Sequence, residues 1–486
     1  MTETKNQTIA HQFLKVVNQT PEAPALIFQD EVYTYAMLHD LSAAFAIRLR
    51  QAGVDTDSTV HIQSDDLAVT VAVMLATACL GARLAERAIT HKLPLGFPIT
   101  HSIGTDPAAG ESGQIIVDQS FSPAHYSAAE KAEIWRDSAA DSEAPWIIVS
   151  TSGTTGLPKV VGLSQRLVRK RSHAVRNDFI AGETRFTSLF PYATRPFFAR
   201  AIAAIYSGAT IVDRGPWEFW QRTSVTLVSG SLQQVRTKLQ NKPQSNRIAK
   251  LEVIGAKLPE AEVPGLLQSF AQIDDTYGAT ETNKSHSNYY SIGPDGNLHV
   301  SGATHESIFE IVDDNDNPVA TGESGIVRVK AECAAAEYIF SDTGETRILH
   351  DGWFYPGDIG RWGQHGVLDI LRRTSNDVIV SGGSKISAKL IDHVFQSFDG
   401  IKAAAAFASP KKNSEEVIVF VVFECDVNKL QLTELAKLSC KEQLGSEFVP
   451  TKVWPVAALP RHKDGSPDRA KCAETILSAA RGRTGN

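Results

Sequence analysis

Cysteine is sparse in this 486-residue sequence, and its spacing excludes two kinds of site. The five cysteines lie far apart and include no C-x-x-C pair. This spacing excludes a disulfide framework and the common zinc motifs, and it is typical of a reducing compartment. The histidines, His365 among them, show no metal-ligand spacing, and no G-x-S-x-G motif or Ser-His-Asp order indicates a serine hydrolase.

Long apolar runs and an excess of basic charge are also missing. The first residues, M-T-E-T-K-N-Q, contain no apolar segment, so no signal peptide is expected, and the most apolar stretch, 67–80, is too short to cross a bilayer. The formal net charge of −7 provides no general basic surface for nucleic acid or an anionic membrane. We therefore predict a cytoplasmic globular protein with neither kind of partner. One basic cluster is predicted to form the solvent-exposed face of a helix: Arg166, Arg169, Lys170, Arg171 and Arg176.

A phosphate-binding pattern lies between residues 146 and 165. The apolar run 147–149 predicts a buried strand, and Ser164 predicts the start of a helix. Between them, shortly before Lys159, stands a run of small polar residues: Thr151, Ser152, Gly153, Thr154, Thr155 and Gly156. Glycines let backbone N–H groups approach a polyanion, hydroxyls donate hydrogen bonds and the lysine adds charge, so this stretch is predicted to bind phosphate. It is not a Walker A motif, because Leu-Pro-Lys follows Gly156 where Gly-Lys-Ser/Thr is required.

A second motif, Y-G-A-T-E at 277–281, suits a nucleotide in the same way. The ring of Tyr277 can stack on a base, Gly278 permits close approach of the backbone, Thr280 can reach a phosphate oxygen, and the Glu281 carboxylate suits Mg²⁺. A plain turn between two buried strands is the alternative interpretation of this short motif.

With its Pro-Lys end, the loop closely resembles the signature [ST]-[ST]-G-[ST]-T-G-x-P-K of the adenylate-forming enzymes. This family comprises acyl-CoA synthetases, aryl-acid ligases and the adenylation domains of peptide synthetases. Y-G-A-T-E resembles the family's Y-G-x-T-E, and G-W-F-Y-P-G-D at 352–358 resembles its G-W-x-x-T-G-D. The resemblance implies that ATP and Mg²⁺ are cofactors, that Asp358 binds the ribose hydroxyls and that Arg373 faces the phosphates. It also implies catalytic roles for Lys159, Thr280 and Glu281, the last as the Mg²⁺ ligand.

Strands and helices alternate near the N-terminus: a hairpin at 25–34, a helix capped by Thr34, a strand at 60–63 and a helix at 66–81. This order predicts α/β layering with a largely parallel sheet. The resemblance implies a large N-terminal α/β domain of layered sheets and helices at 1–372, a hinge at 373–377 and a small mobile C-terminal α+β domain at 378–486. The site would lie between the two domains.

In the resembling family the region after the phosphate loop lines the acyl pocket. The residues expected there are Thr194, Arg195, Phe197, Ser229, Gly255, Ala256 and Ala279. No acidic residue occurs between Glu183 and Asp213, which disfavours an α-amino acid because its ammonium group would lack a partner. The aromatic residues of this region favour an aryl or other apolar acid.

The family's C-terminal pattern P-[RK]-[TN]-x-x-G-K-[IVL]-x-R matches at Pro460, Arg461, Gly465 and Arg469, but Ser466 stands where the catalytic lysine is usual and Pro467 follows it. A serine hydroxyl donates only a neutral hydrogen bond to the charge that gathers during adenylation. Three hypotheses follow. The chain is a ligase that transfers the acyl group to the thiol of coenzyme A or of a carrier-protein phosphopantetheine, with Lys463 or Lys471 supplying the charge. Alternatively, it transfers the group to an amine, or it binds nucleotide and acyl group without adenylation.

Overall fold

The computed structural model describes residues 8–87, 89, 98–105, 113–151, 159–240, 246–335, 337–340, 348–373, 378–381, 384–410, 416–425, 427–461 and 467–482. Within these ranges the structure is mixed α/β, as the sequence predicts. None of the helices in these ranges has the length and hydropathy needed to cross a membrane.

The largest sheet has nine strands in the order β15-β14-β13-β12-β11-β9-β10-β1-β2 within the described residues. The six central strands, from β13 to β1, run parallel, and β2, β14 and β15 are antiparallel additions at the edges. These strands span Pro24–Phe28 (β1), Glu31–Thr34 (β2), Arg185–Ser188 (β9), Thr210–Val212 (β10), Leu227–Gly230 (β11), Ile248–Ile254 (β12), Phe270–Ala279 (β13), Asn283–Ile292 (β14) and Leu298–Thr304 (β15).

A second sheet, of seven described strands, has the order β18-β8-β7-β4-β3-β5-β6 and carries the phosphate-loop strand near its middle. Its strands span Thr59–Gln63 (β3), Arg83–Ala85 (β4), His101–Gly104 (β5), Gln114–Ile116 (β6), Pro145–Thr151 (β7), Lys159–Ser164 (β8) and Tyr338–Phe340 (β18). The sequence pattern did not reveal β8, which pairs antiparallel with β7 and places Thr151 opposite Lys159. The two ends of the predicted phosphate loop are therefore held together, whereas residues 152–158 lie outside the described residues.

Two smaller groups of strands follow along the chain. An antiparallel sheet in the order β16-β17-β19-β20 is built from Ser307–Val312 (β16), Ser324–Ala331 (β17), Asp358–Trp362 (β19) and Leu368–Arg373 (β20). Beyond it come the hairpin of Val378–Ser381 (β21) with Ser384–Ser387 (β22) and the three-stranded sheet of Ile401–Ala408 (β23), Val417–Phe423 (β24) and Lys452–Pro455 (β25). The hinge at 373–377 stays a prediction.

Helices cover the sheets. They span Ile9–Gln19 (α1), Tyr35–Gln51 (α2), Leu67–Leu80 (α3), Ala128–Arg136 (α4), Gln165–Ala174 (α5), Arg195–Ser207 (α6), Trp217–Arg222 (α7), Leu232–Leu239 (α8), Val263–Leu267 (α9), Ala388–Gln396 (α10), Lys429–Leu444 (α11) and Arg469–Gly482 (α12). The apolar stretch of the sequence is α3, which begins after the N-cap Asp66 and ends at Gly81 in the left-handed conformation. All its side chains except that of Val69 are buried, so its hydrophobicity serves the protein core.

Candidate active site

The candidate site residues gather at one edge of the two large sheets. Thr151 ends β7, Gly255 directly follows β12, and Tyr277 lies near the end of β13. All three strands are parallel members of their sheets, and the carboxyl ends of parallel strands form a binding crevice in open α/β folds. The fold therefore places the phosphate-loop strand, part of the expected acyl pocket and the Y-G-A-T-E motif at the carboxyl ends of the parallel strands in the two sheets.

Tyr277 and Asp358 meet directly. The Tyr277 hydroxyl donates a hydrogen bond of 2.5 Å to Oδ2 of Asp358, whose side chain is buried at 3% exposure. The Tyr277 ring also packs edge-on against Phe309, with 5.6 Å between the ring centroids. Residues 81 positions apart in the sequence therefore form one aromatic and carboxylate surface. Arg373 lies opposite Asp358 in the β19–β20 pairing.

Glycine at 278 has a structural reason besides the predicted approach of a ligand. The β13–β14 register shifts between Tyr277 and Gly278, and a Cβ atom at 278 would overlap the carbonyl oxygen of Asn283. The irregular end of this hairpin turns the backbone so that Thr280 and Glu281 lie in the connection to β14.

Tyr338 on β18 joins the phosphate-loop lysine to the motif carboxylate, and no sequence motif pointed to it. Its hydroxyl donates a 3.0 Å hydrogen bond to Oε1 of Glu281, and the Lys159 ammonium lies 4.4 Å from the centre of its ring. The contact with Lys159 is a cation–π interaction, which a buried ring strengthens. The Glu281 side chain is 7% exposed. A nearly buried carboxylate beside a lysine is a donor set that fits Mg²⁺ together with phosphate.

One residue of the basic cluster, Arg171 on α5, is buried and does not lie on the exposed face that the sequence predicts. Its guanidinium donates to three backbone carbonyls, those of Cys333 (2.9 Å), Thr280 (2.9 Å) and Glu281 (2.6 Å). Arg176, in contrast, is exposed and pairs with Glu306 at 3.4 Å. The prediction was wrong for Arg171 because helical periodicity alone cannot show that an arginine turns toward the core.

Glu86 connects the phosphate-loop strand to the expected acyl pocket. Its Oε1 accepts hydrogen bonds from the backbone N–H (2.6 Å) and the hydroxyl (2.8 Å) of Ser150, and its Oε2 accepts from the backbone N–H of Arg195 at 2.8 Å. Burial raises the pKa of this carboxyl group, although the bonded groups oppose the shift. The Arg195 side chain then reaches the Ala279 carbonyl at 3.1 Å, while its buried Nε has no hydrogen-bond partner among the described residues.

The other pocket residues are placed at different depths. Thr194 is partly exposed at the N-cap of α6, where its hydroxyl donates to the Pro191 carbonyl, and Gly255 adopts a positive φ of 102°. Phe197 is fully buried against Tyr192, at 4.9 Å between ring centroids, and so belongs to the protein core.

Ser229 is fully buried and donates to Glu252 at 3.1 Å. Glu252 begins a buried network of alternating charges, in which it also binds Arg200 (2.7 Å) and Lys284 (3.4 Å). The network continues from Lys284 to Asp178 at 3.0 Å. Buried charges that are paired in this way fix the positions of their side chains, because an unpaired member would be costly.

Asp275, two residues before Tyr277, is a further titratable group at this edge. Its Oδ2 accepts a long 3.4 Å hydrogen bond from the Leu258 backbone N–H, and desolvation raises the pKa of the carboxyl group to about 7. An unfolded Asp has a pKa of about 3.9, so between pH 4 and 7 the folded state keeps a proton that the unfolded state has lost. The free energy of unfolding therefore falls as pH rises through this window.

We expect D275N to remove this pH dependence, because an amide cannot ionise. As the pH rises from 4 to 8, the free energy of unfolding of the variant should increase relative to that of the wild type by roughly 2–4 kcal/mol. Denaturant unfolding at several pH values measures the difference, with D314N in the exposed turn after β16 as the control. Parallel stability curves for D275N and the wild type would contradict the role of this carboxyl group.

Several predicted site residues lie outside the described residues: Ser152, Gly153, Thr154, Thr155, Gly156, Lys463 and Ser466. Arg461 and Pro467, which flank the last two, pair across a β-bridge. Arg469, the last residue of the C-terminal pattern, donates to Asp392 at 2.7 Å, and Lys471 lies 3.3 Å from Asp468.

The AMP-binding enzyme family matches residues 13–91 and 99–339, and the chain belongs to this family. It is 24% identical over 485 residues to 2-succinylbenzoate–CoA ligase from Listeria monocytogenes serotype 4b, with 95% of this chain and 98% of that protein covered. The solved structures similar to it include a double mutant of o-succinylbenzoate CoA synthetase from Bacillus subtilis bound with a product analogue. That structure has a TM-score of 0.78 at 20% identity, covering 95% of this chain and 98% of the other. The amide bond synthetase from Marinactinospora thermotolerans has a TM-score of 0.73 at 18% identity, covering 96% and 99%.

These findings confirm the predicted adenylate-forming family and the α/β fold. They also confirm the predicted class of enzyme, an AMP-forming acid–thiol ligase. The domain boundaries, the individual site residues and the cytoplasmic location stay predictions.

Proposed function

We propose that this chain activates an aromatic carboxylic acid with ATP and Mg²⁺ and transfers the acyl group to coenzyme A. In the first step a carboxylate oxygen attacks the α-phosphate of ATP, which gives the acyl-adenylate and pyrophosphate. In the second step the thiol sulfur attacks the acyl carbon, which gives the thioester, AMP and a proton. The observation that carries the proposal is Tyr338, whose ring contacts Lys159 and whose hydroxyl binds Glu281, so that one side chain links a cation and a carboxylate.

Each side chain has a role that its surroundings support. Asp358, held by Tyr277, accepts hydrogen bonds from the ribose hydroxyls. Glu281 holds Mg²⁺, which when bound offsets the charge of the phosphates. Lys159 lies opposite Thr151 in the β7–β8 pairing, and its ammonium group supplies positive charge for the phosphates. Arg373 is proposed to face the same groups.

The acid is proposed to be aromatic and to carry a second acidic group. Two of the three similar proteins named above are ligases of 2-succinylbenzoate, a benzoate with a second carboxylate. Arg195 supports the same chemistry here, because its buried Nε has no hydrogen-bond partner among the described residues while its Nη2 donates to the Ala279 carbonyl. Thr194, Ala256 and Gly255 would form the partly exposed wall of the pocket.

The test is acid-dependent release of pyrophosphate from ATP over aryl, short-chain and medium-chain acids. 2-Butanoylbenzoate and 2-succinylbenzoate form the matched pair that isolates the second carboxylate, because the first has a methyl group in its place. Products are then sought with coenzyme A, with a phosphopantetheine-bearing carrier protein and with amines. Release only with an aryl acid, followed by a coenzyme A thioester, is the expected result.

An amine acceptor is the second candidate, supported by the similarity to an amide bond synthetase. Amide formation without any thioester would favour it. If no acid released pyrophosphate, the chain would instead be a nucleotide-binding or acyl-binding protein.

A further inference from the structure

Arg171 lies on α5, the helix that follows β8. Its side chain turns inward and is 6% exposed, whereas Lys170 beside it is exposed. Nothing in its own helix bonds to its guanidinium: all three of its hydrogen bonds reach residues more than 100 positions away. Its contacts therefore join separate parts of the chain.

Two of the acceptors are the consecutive carbonyls of Thr280 and Glu281, both in the connection between β13 and β14. A guanidinium is a planar fork with fixed donor directions, so binding two successive carbonyls restrains both peptide planes that flank Glu281. The direction of the Glu281 side chain depends on these planes. Arg171 thus acts on the carboxylate through the backbone.

The third acceptor lies on the segment that supplies the partner of the Glu281 side chain. Arg171 binds the carbonyl of Cys333, and the nearby Ala335 N–H donates to the Glu281 carbonyl at 2.8 Å. Three residues further on is Tyr338, whose hydroxyl binds the Glu281 carboxylate. One guanidinium therefore holds both the backbone of Glu281 and the segment that leads to Tyr338.

Burial of the guanidinium is unfavourable in itself and lowers the pKa of Arg171, although the charge of Glu281 opposes this shift. An apolar side chain would fill the same helix position at lower cost. The three carbonyls explain why an arginine occupies this position, because an apolar residue would leave them without its hydrogen-bond donors.

We propose that Arg171 is a positioning residue, which orients Thr280 and Glu281 for Mg²⁺ and the ATP phosphates. This inference rests on the proposed function, since it assigns a support to that same site. It predicts that loss of the fork reduces the contribution of Mg²⁺ to ATP binding more than it affects binding of the acid.

The test compares R171K, which keeps the charge, and R171M, which keeps the bulk without a charge. R176Q is the matched control at an exposed arginine close in sequence. Calorimetry of ATP binding with Mg²⁺ and with EDTA gives the Mg²⁺-dependent gain in affinity, and thermal unfolding without ligand reports on the fold. Steady-state release of pyrophosphate separates kcat from the KM of the acid.

We expect the Mg²⁺-dependent gain to fall at least tenfold in both Arg171 variants and kcat to fall with it. The KM of the acid should stay within about twofold, and R176Q should match the wild type. A variant that folds and keeps the wild-type Mg²⁺-dependent gain in ATP affinity would overturn the proposal. Equal losses of affinity for ATP and for the acid would overturn it too. If neither variant folded, Arg171 would be a requirement of the fold and the proposal would be rejected. Wild-type protein that released no pyrophosphate, while the variants still lost the Mg²⁺-dependent gain, would refute the proposed function and leave this inference standing.

Discussion

The E281Q variant should release pyrophosphate at least about 100-fold more slowly than the wild type, because it loses the charge that we propose faces Mg²⁺. The amide keeps the size of the side chain and can still accept the hydrogen bond from the Tyr338 hydroxyl, so the fold should persist. The Mg²⁺ concentration for half-maximal rate should rise at the same time. Steady-state assays over a Mg²⁺ titration measure both quantities.

Two companion variants make this result specific. Y338F keeps the ring over Lys159 but removes the hydroxyl bonded to Glu281, and we expect a fall of about tenfold, the usual size for one hydrogen bond to a charged group. E260Q changes an exposed glutamate outside the site and should behave as the wild type. Activity of E281Q within a few-fold of the wild type would remove Glu281 from the proposed site.

The S466K variant should release pyrophosphate faster than the wild type, by about 100-fold if nothing else supplies the missing charge. A lysine at this position can offset charge gathering on the transferring groups, which a hydroxyl cannot do as well, and one well-placed donor is worth about 100- to 1,000-fold. Parallel measurements on S466K and the wild type with the best acid of the panel give the ratio.

The K463A substitution in both backgrounds shows whether the wild type already has a substitute for that lysine. If Lys463 supplies the charge, K463A should inactivate the wild type but be tolerated beside S466K. K471A tests the second candidate lysine in the same way; Lys471 pairs with Asp468 at the first turn of α12. A wild type as fast as S466K, and insensitive to both alanine changes, would mean that the reaction does not need the cation.

Local patterns predicted much of the fold because local chemistry determines those elements. Thr34 and Asp66 cap α2 and α3 as their positions suggest, and Gly81 ends α3. The sequence patterns did not predict strand β8 or helix α12, because neither has a clear turn signal or a regular spacing of apolar residues. The motif residues Tyr277 and Asp358 could be named in advance, but their mutual hydrogen bond could not, because it depends on how two sheets pack.

Sequence patterns could not predict the supporting residues of the site, because their contacts also depend on tertiary packing. Glu86, Arg171 and Tyr338 stand in no recognisable motif, and each acts on partners far along the chain. Charge patterning even pointed the wrong way for Arg171, because an isolated helix gives no sign of what covers it. Only the tertiary contacts distinguish a buried arginine from its exposed neighbours.

The Glu86 carboxylate has a practical consequence for anyone who wishes to change the acid that this ligase accepts. One oxygen holds Ser150 beside the predicted phosphate loop, and the other holds the main-chain N–H of Arg195 at the proposed acyl pocket. Any substitution at position 195 except proline keeps that backbone N–H, because proline has none. Substrate range can therefore be redesigned through this side chain, whereas shifting the backbone at the start of α6 would also disturb nucleotide affinity.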